Sequence, residues 1–129
     1  MWADIELAVI SGVRARLPGA RVTDELPDKL ETRLPLVWVR VMGGGDDRVT
    51  DTATVDVQTF AATRAAMWEL AEQARTAVHA LAATHDSGQR VVIDDVTTAA
   101  RPAEVPYGNP GVRRAVASYE VATRERAAT

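Results

Sequence analysis

The sequence is notable first for the residue types that it lacks. It contains no cysteine, which excludes disulfide bonds and thiol chemistry and is compatible with assembly in the reducing cytoplasm. Aromatic residues make up only 5% of the chain, so the stacking platform of single-strand nucleic-acid binders is missing. No segment approaches the roughly 20 apolar residues of a membrane span. The acidic start, MWADIELAVI, lacks the basic residues that open a signal peptide, so we expect no membrane association.

The residues that are present are typical of one soluble globular domain spanning 1–129. Hydrophobic residues make up 47% of the chain and charged residues 26%. With a net charge of −3, the molecule as a whole has no electrostatic attraction for nucleic acid or anionic membranes. Lys29 is the only lysine among 15 basic residues. A GC-rich coding genome explains that bias, and so does the preference for arginine at protein interfaces.

Hydrophobic periodicity predicts alternating helices and strands. Apolar residues at Ile5, Val9, Val13 and Leu17 predict a first helix, and the segment 64–84 predicts a second, stronger one. Alternating β-branched residues predict strands over 36–42, 50–61, 90–99 and 112–124, with a short extended piece at 21–23. The glycine-rich GGGDDR, residues 43–48, is expected to break the chain as the tip of a long hairpin. The class is therefore α+β: a mainly antiparallel or mixed sheet with two helices packed on one face and a long hairpin extension.

Candidate catalytic and metal sites find little support in the sequence. His79 and His85 are six residues apart, too far to share a helix face at the required spacing, and are predicted to face solvent on the helix. The acid pairs Asp46-Asp47 and Asp94-Asp95 lack the alternating oxygens of a calcium loop and are predicted to be solvated charges. The glycines of residues 43–45 lie between strands and lead to aspartates that repel phosphate. We therefore predict no catalytic residue, no metal site and no cofactor.

Two segments resemble a known family. They are LPLVWVRVMGGGDDRVTDTATVDVQTFAATRAAMWELAEQARTAV at 34–78 and YGNPGVRRAVASYEV at 107–121. The first joins a glycine-rich turn to a strand-to-helix junction, and the second is a turn that opens the closing strand. Their order and spacing, with the N-terminal helix, resemble the tail terminator (tail completion) proteins of long-tailed, non-contractile bacteriophages, in particular the type of actinobacterial phages and prophages.

This resemblance implies a structural role in the virion rather than catalysis. Tail terminators form a ring, commonly a hexamer, on the head-proximal end of the tail tube, where they stop tube polymerisation. The ring offers a surface to the head connector or head-closure protein, and genomic DNA passes through its lumen without specific binding. The alternatives are another neck component, such as a head-closure protein, or a small non-catalytic module that binds a partner through its sheet edge.

Candidate interface residues follow from the ring that the resemblance implies. A ring needs two different patches on each subunit, and exposed strands and hairpins supply such patches. Asp46, Asp47 and Arg48 at the hairpin tip are predicted to contact an adjacent ring or the tube; the alternative is a simple hairpin turn.

Arg113 and Arg114 open the last strand, where alternating side chains point to opposite faces of the sheet. One can reach a carboxylate in its own or the adjacent subunit while the other faces out. The alternative for this pair is a structural ion pair with Asp94 or Asp95 on a neighbouring strand.

Overall fold

The fold is a mixed, curled six-stranded sheet with two helices. The structure is a computed structural model and describes residues 5–46, 51–86 and 91–125. The α+β class predicted from the sequence is confirmed. In chain order the elements are α1 (Ile5–Arg16), β1 (Arg21–Thr23), a 3-10 turn (Leu30–Thr32), β2 (Leu36–Asp46), β3 (Asp51–Ala61), α2 (Arg64–His79), β4 (Thr84–Asp86), β5 (Val91–Glu104) and β6 (Arg113–Glu125).

The strands are arranged in the order β1-β2-β3-β6-β5-β4. β1 is parallel to β2, and all other neighbours are antiparallel. The edge strands β1 and β4 have three residues each and cover only a short part of their long neighbours. Most of the outer edges of β2 and β5 therefore have no partner strand among the described residues.

The main core lies between the sheet and the two helices. The α2 residues Met67, Leu70, Ala74 and Val78 recur at helical spacing and are all buried. Thr63 caps this helix, since its side-chain oxygen accepts a hydrogen bond from the Ala66 N–H at 3.1 Å.

The first helix approaches the end of α2 closely. A Cβ built on Gly12 would lie 2.4 Å from Leu81 Cδ2, so only glycine fits here without a shift of that side chain. A smaller apolar cluster, Leu30, Leu36, Phe60 and Val112, forms separately from this core.

Two strands are longer than their sequence patterns predict. Gly43–Asp46 pair with residues 51–54, so the expected chain break at residue 43 is wrong for these positions. The pairing needs only backbone groups, and Gly43 follows a bulge with a φ of 145°, which other residues rarely adopt. β5 runs to Glu104 rather than 99, because bulges keep its later residues paired with β6.

The second helix is shorter than predicted. It ends at His79, and the residues around His85 form the short strand β4 instead of a helical end. His79 is half-buried: its Nε2 lies 2.7 Å from Thr98 Oγ1, and its ring meets Tyr119 edge-on at 5.7 Å. The prediction that both histidines face solvent on the helix is therefore wrong for His79, while His85 is exposed but lies on a strand.

Candidate interaction surfaces

Arg113 lies on the helix side of β6, at the start of the strand. Its Nη1 is 3.3 Å from Glu104 Oε2, and the other oxygen of the same carboxylate is 3.4 Å from Arg64 Nε. Both arginine side chains are at least half exposed. Ion pairs this exposed contribute about 0–1 kcal/mol, so the triad leaves Arg113 available to an additional partner.

The alternative of an ion pair between this arginine pair and Asp94 or Asp95 is wrong. Asp94 instead accepts from Arg124 Nε at 3.0 Å, near the opposite end of the sheet.

Arg114 lies on the other face of β6 and contacts the loop of residues 105–112. Its Nη2 donates to the Pro106 carbonyl at 2.9 Å, and its Nε donates to the Val105 carbonyl at 3.4 Å. The guanidinium also lies 5.4 Å from the centre of the Tyr107 ring. Arg113 and Arg114 thus contact the start of the same loop from opposite faces of the sheet. Arg113 pairs with Glu104, and Arg114 donates to the loop carbonyls of Val105 and Pro106.

The 105–112 loop has a defined shape of its own. Tyr107 packs edge-on against Phe60 with ring centres 5.4 Å apart. The Asn109 side chain accepts from the Gly111 N–H at 2.9 Å, and the Val112 N–H donates to the Asn109 carbonyl at 3.0 Å. These bonds close the turn predicted from the NPG sequence and direct the chain into β6.

The structure places the candidate residues at opposite ends of the sheet. Asp46 pairs with Asp51 at the far end of the β2–β3 hairpin, while Asp47 and Arg48 lie outside the described residues. Arg113 pairs with Ala61 at the other end of β3. Ten residues of strand separate these levels, which corresponds to about 33 Å. The described candidates, Asp46 and the two arginines, therefore lie at opposite ends of the sheet.

A polar network that we did not predict covers the sheet face away from the helices. Asp56 Oδ1 accepts from the Ser118 hydroxyl at 3.2 Å, and Asp56 Oδ2 lies 3.7 Å from Arg40 Nη2. The Thr54 hydroxyl donates to Glu120 Oε1 at 2.9 Å. The sequence signal was the alternation of polar with apolar residues in TVDVQTF, which places Asp56 on the face opposite the valines.

The described residues hold no cluster suited to metal binding. No group of three or more His, Cys, Asp or Glu side chains in this part of the chain could hold a metal ion.

One core residue, Tyr119, has a clearly raised pKa. Burial raises the pKa of Tyr119 to about 12, partly offset by the nearby charge of Arg75. Its hydroxyl has no hydrogen-bond partner among the described residues. A neutral phenol under a helix fits a packing role.

Comparison with protein-family models matches residues 1–129 to the family described as phage tail termination protein. The chain belongs to this family. The predicted identity as a tail terminator is therefore confirmed, and the protein is a structural component of a phage tail. A search of curated proteins found no match. The assignment to the actinobacterial type stays a prediction.

Family membership indicates the virion tail as the location of the protein and other phage tail or head components as its partners. Neither helix in the described part of the chain is long and apolar enough to cross a membrane.

Proposed function

We propose that six copies of this chain form a ring on the head-proximal end of the tail tube, stop its polymerisation and present a surface to the head connector or head-closure protein. The observation that supports this most is the presence of two unlike ends, separated by about 33 Å of strand, on one sheet. A cap between tube and head must contact a different partner on each side. The chain offers a hairpin at one end and a shaped loop at the other.

Each end has its own candidate contact residues. At the hairpin end we propose that Asp46, Asp47 and Arg48 contact the tube or an adjacent ring. At the other end the exposed Arg113 offers a guanidinium at the surface, and Arg114 acts by holding the 105–112 loop in shape. A prearranged loop loses less conformational freedom when it binds a partner.

The sheet face away from the helices suits a lumen through which DNA passes without binding. Phosphate binding requires cationic side chains that are free to replace counterions. On this face Arg40 pairs with Asp56 and Arg124 with Asp94, and the Glu120 carboxylate lies on the same face. Because these carboxylates repel phosphate, we expect the lumen wall to bind the passing duplex only weakly.

The proposed role is mechanical and uses no catalysis or cofactor. The alternative of a binding module that adds a partner strand at its sheet edge is disfavoured at the β5 edge by the form of that strand. That strand has register shifts at three places and carries Pro102, and both features block the regular pairing of an added strand. Another neck component, such as a head-closure protein, is the remaining alternative.

Tube polymerisation in vitro tests the proposal. Purified tail-tube protein of the same phage is allowed to polymerise with and without this chain, and tube lengths are measured by electron microscopy. We expect shorter tubes with extra density at one end, in proportion to the chain added. An unrelated acidic protein of similar size is the control. A length distribution that does not change with added chain would contradict the proposal.

A further inference from the structure

An apolar groove of about 780 Å³ opens between α2 and the end of α1. Its floor includes Leu17, Leu70 and Ala77, and its length along α2 runs from Ala66 to Ala80. Fourteen helical residues correspond to about 21 Å. The groove is too open and too poor in convergent polar groups to select a small molecule, and its shape suits an extended protein segment.

The rim of this groove carries acidic side chains without basic partners. Glu69 and Glu72 line it, and neither forms an ion pair with a basic side chain in the described part of the chain. The Glu69 carboxylate accepts a hydrogen bond from the Gln73 amide at 3.4 Å. Arg16 stands at the end where α1 finishes and donates to the Gly12 carbonyl. A basic side chain on the occupant would complement the two glutamates.

The outer edge of β5 presents an extended segment that carries small side chains and one basic side chain. β4 pairs only with Val91, Val92 and Ile93, so residues 97–103, TTAARPA, have no strand on their outer side among the described residues. Five of them, Thr97, Ala99, Ala100, Arg101 and Ala103, are exposed. Arg101 has no ion-pair partner in the described part of the chain. The bulges and Pro102 exclude strand addition, but they do not hinder docking of small side chains into a groove.

We propose that a second copy of this chain occupies the groove and inserts the outer edge of its own β5, residues 97–103, with Arg101 facing Glu69 and Glu72. This inference rests on the proposed ring and supplies its subunit contact. The groove lies beside α2 and the end of α1, whereas the β5 segment lies at an outer edge of the sheet, so the two are different surfaces. Such a contact is heterologous and repeats from copy to copy, and it closes into a ring when the rotation per copy divides a full turn without a rise along the axis.

The dimensions of the two surfaces agree. Residues 97–103 pair with β6 from Glu120 to Val116, so with their bulges they span about 13 Å and fit within the groove length of about 21 Å. We compare positions by their distance along α2 and β6 from a common level. This level is the ion triad in which Glu104 pairs with Arg64 at the start of α2 and with Arg113 at the start of β6. Glu72 lies about 12 Å along α2 from this level. Ala100 and Ala103 pair with Ser118 and Val116, at about 17 and 10 Å, and Arg101 lies between them.

An independent contact supports this height scale. His79, about 22 Å along α2, packs on Tyr119, about 20 Å along β6. Subunits related by rotation alone keep equal heights along the ring axis. With strands running along that axis, Arg101 of one copy therefore stands level with the glutamates of the next.

Engineered cysteines test this contact without background, because the chain has none of its own. The double variant Gln73→Cys/Ala100→Cys is mixed with tail-tube protein and oxidised, and the products are separated on a denaturing gel. We expect a ladder of covalent oligomers reaching the full ring. Each single variant gives at most a dimer, and so does a mixture of the two. Lys29→Cys/Ala100→Cys, which moves the first cysteine outside the groove, gives no ladder.

Charge exchange provides a second measurement. Arg101→Glu is expected to weaken assembly about tenfold, the effect of one close charge pair, and adding Glu69→Arg and Glu72→Arg restores it. Arg33→Glu, an exposed change of the same charge, leaves assembly within about twofold.

The outcomes separate this inference from the ring itself. A ring seen by native mass spectrometry without the 73–100 ladder overturns the groove contact and leaves the ring intact. A chain that stays monomeric with tube protein overturns both.

Discussion

Two adjacent arginines at one turn do different work in this fold. Arg113 shares the Glu104 carboxylate with Arg64 at an exposed surface, whereas Arg114 donates to two backbone carbonyls and lies against Tyr107. The strand alternation of side chains that separates the pair was predictable from the sequence. Their partners were not, because they depend on where β5 ends.

Alanine substitutions distinguish the two roles. Arg114→Ala is expected to lower the free energy of unfolding by about 1–2 kcal/mol, because two carbonyl hydrogen bonds and the contact with Tyr107 are lost. Arg113→Ala is expected to cost under about 1 kcal/mol, because its ion pair is exposed. Urea unfolding monitored by circular dichroism measures both. Equal losses for the two variants would contradict these assignments.

Tyr119 gives the fold a dependence on alkaline pH. Below pH 10 its phenol is protonated in both the folded and the unfolded chain. Since burial raises the pKa to about 12 in the fold, the unfolded chain ionises first as the pH rises from about 10 to 12. Stability is therefore expected to fall by up to about 2–3 kcal/mol over that interval.

Tyr119→Phe isolates this effect from the titration of other groups. The buried hydroxyl has no hydrogen-bond partner among the described residues, so we expect the variant to be as stable as the parent at pH 7. Urea unfolding of both proteins at pH 7, 9 and 11.5 should show a smaller alkaline loss for the variant. Parallel curves for the two proteins would show that Tyr119 is not the source.

At the scale of elements, hydrophobic periodicity in the sequence predicts which segments form helices and which form strands. The α2 seam of Met67, Leu70, Ala74 and Val78 and the alternating valines of β2 identify their elements without knowledge of the fold. The extensions of β2 and β5 were missed for a shared reason. Glycines at 43–45 and Pro102 disfavour strands locally, and only the neighbouring strands β3 and β6 hold them in the sheet. The two-ended arrangement of candidate residues likewise depends on sheet order.

The hairpin tip can be removed without disturbing the sheet. Replacing residues 47–50 by Asn-Gly gives a two-residue turn that preserves the pairing of Asp46 with Asp51. We expect stability to change by less than about 1 kcal/mol, because every paired residue of β2 and β3 is kept. Capping in the tube-polymerisation assay should be lost or strongly weakened, since Asp47 and Arg48 are removed. Full capping by this variant would exclude the tip from the interface with the tube.

At the scale of the whole molecule, the shape of the sheet connects the fold to its role. The two ends differ in structure, the two long edges differ in pairing, and one face carries both helices. The proposed ring between two unlike partners needs this asymmetry, with one end for each partner and two different surfaces for the two neighbouring copies. The edges could not be assigned from the sequence, because β1 and β4 are too short to identify which strands they leave open.

The central claim is the ring, and native mass spectrometry tests it most directly. The purified chain is measured over a concentration series, alone and with the tail-tube protein of the same phage. We predict a discrete six-subunit species, either for the chain alone or only when tube protein is present. A chain that stays strictly monomeric and does not bind tube protein would contradict the ring and favour a different neck component.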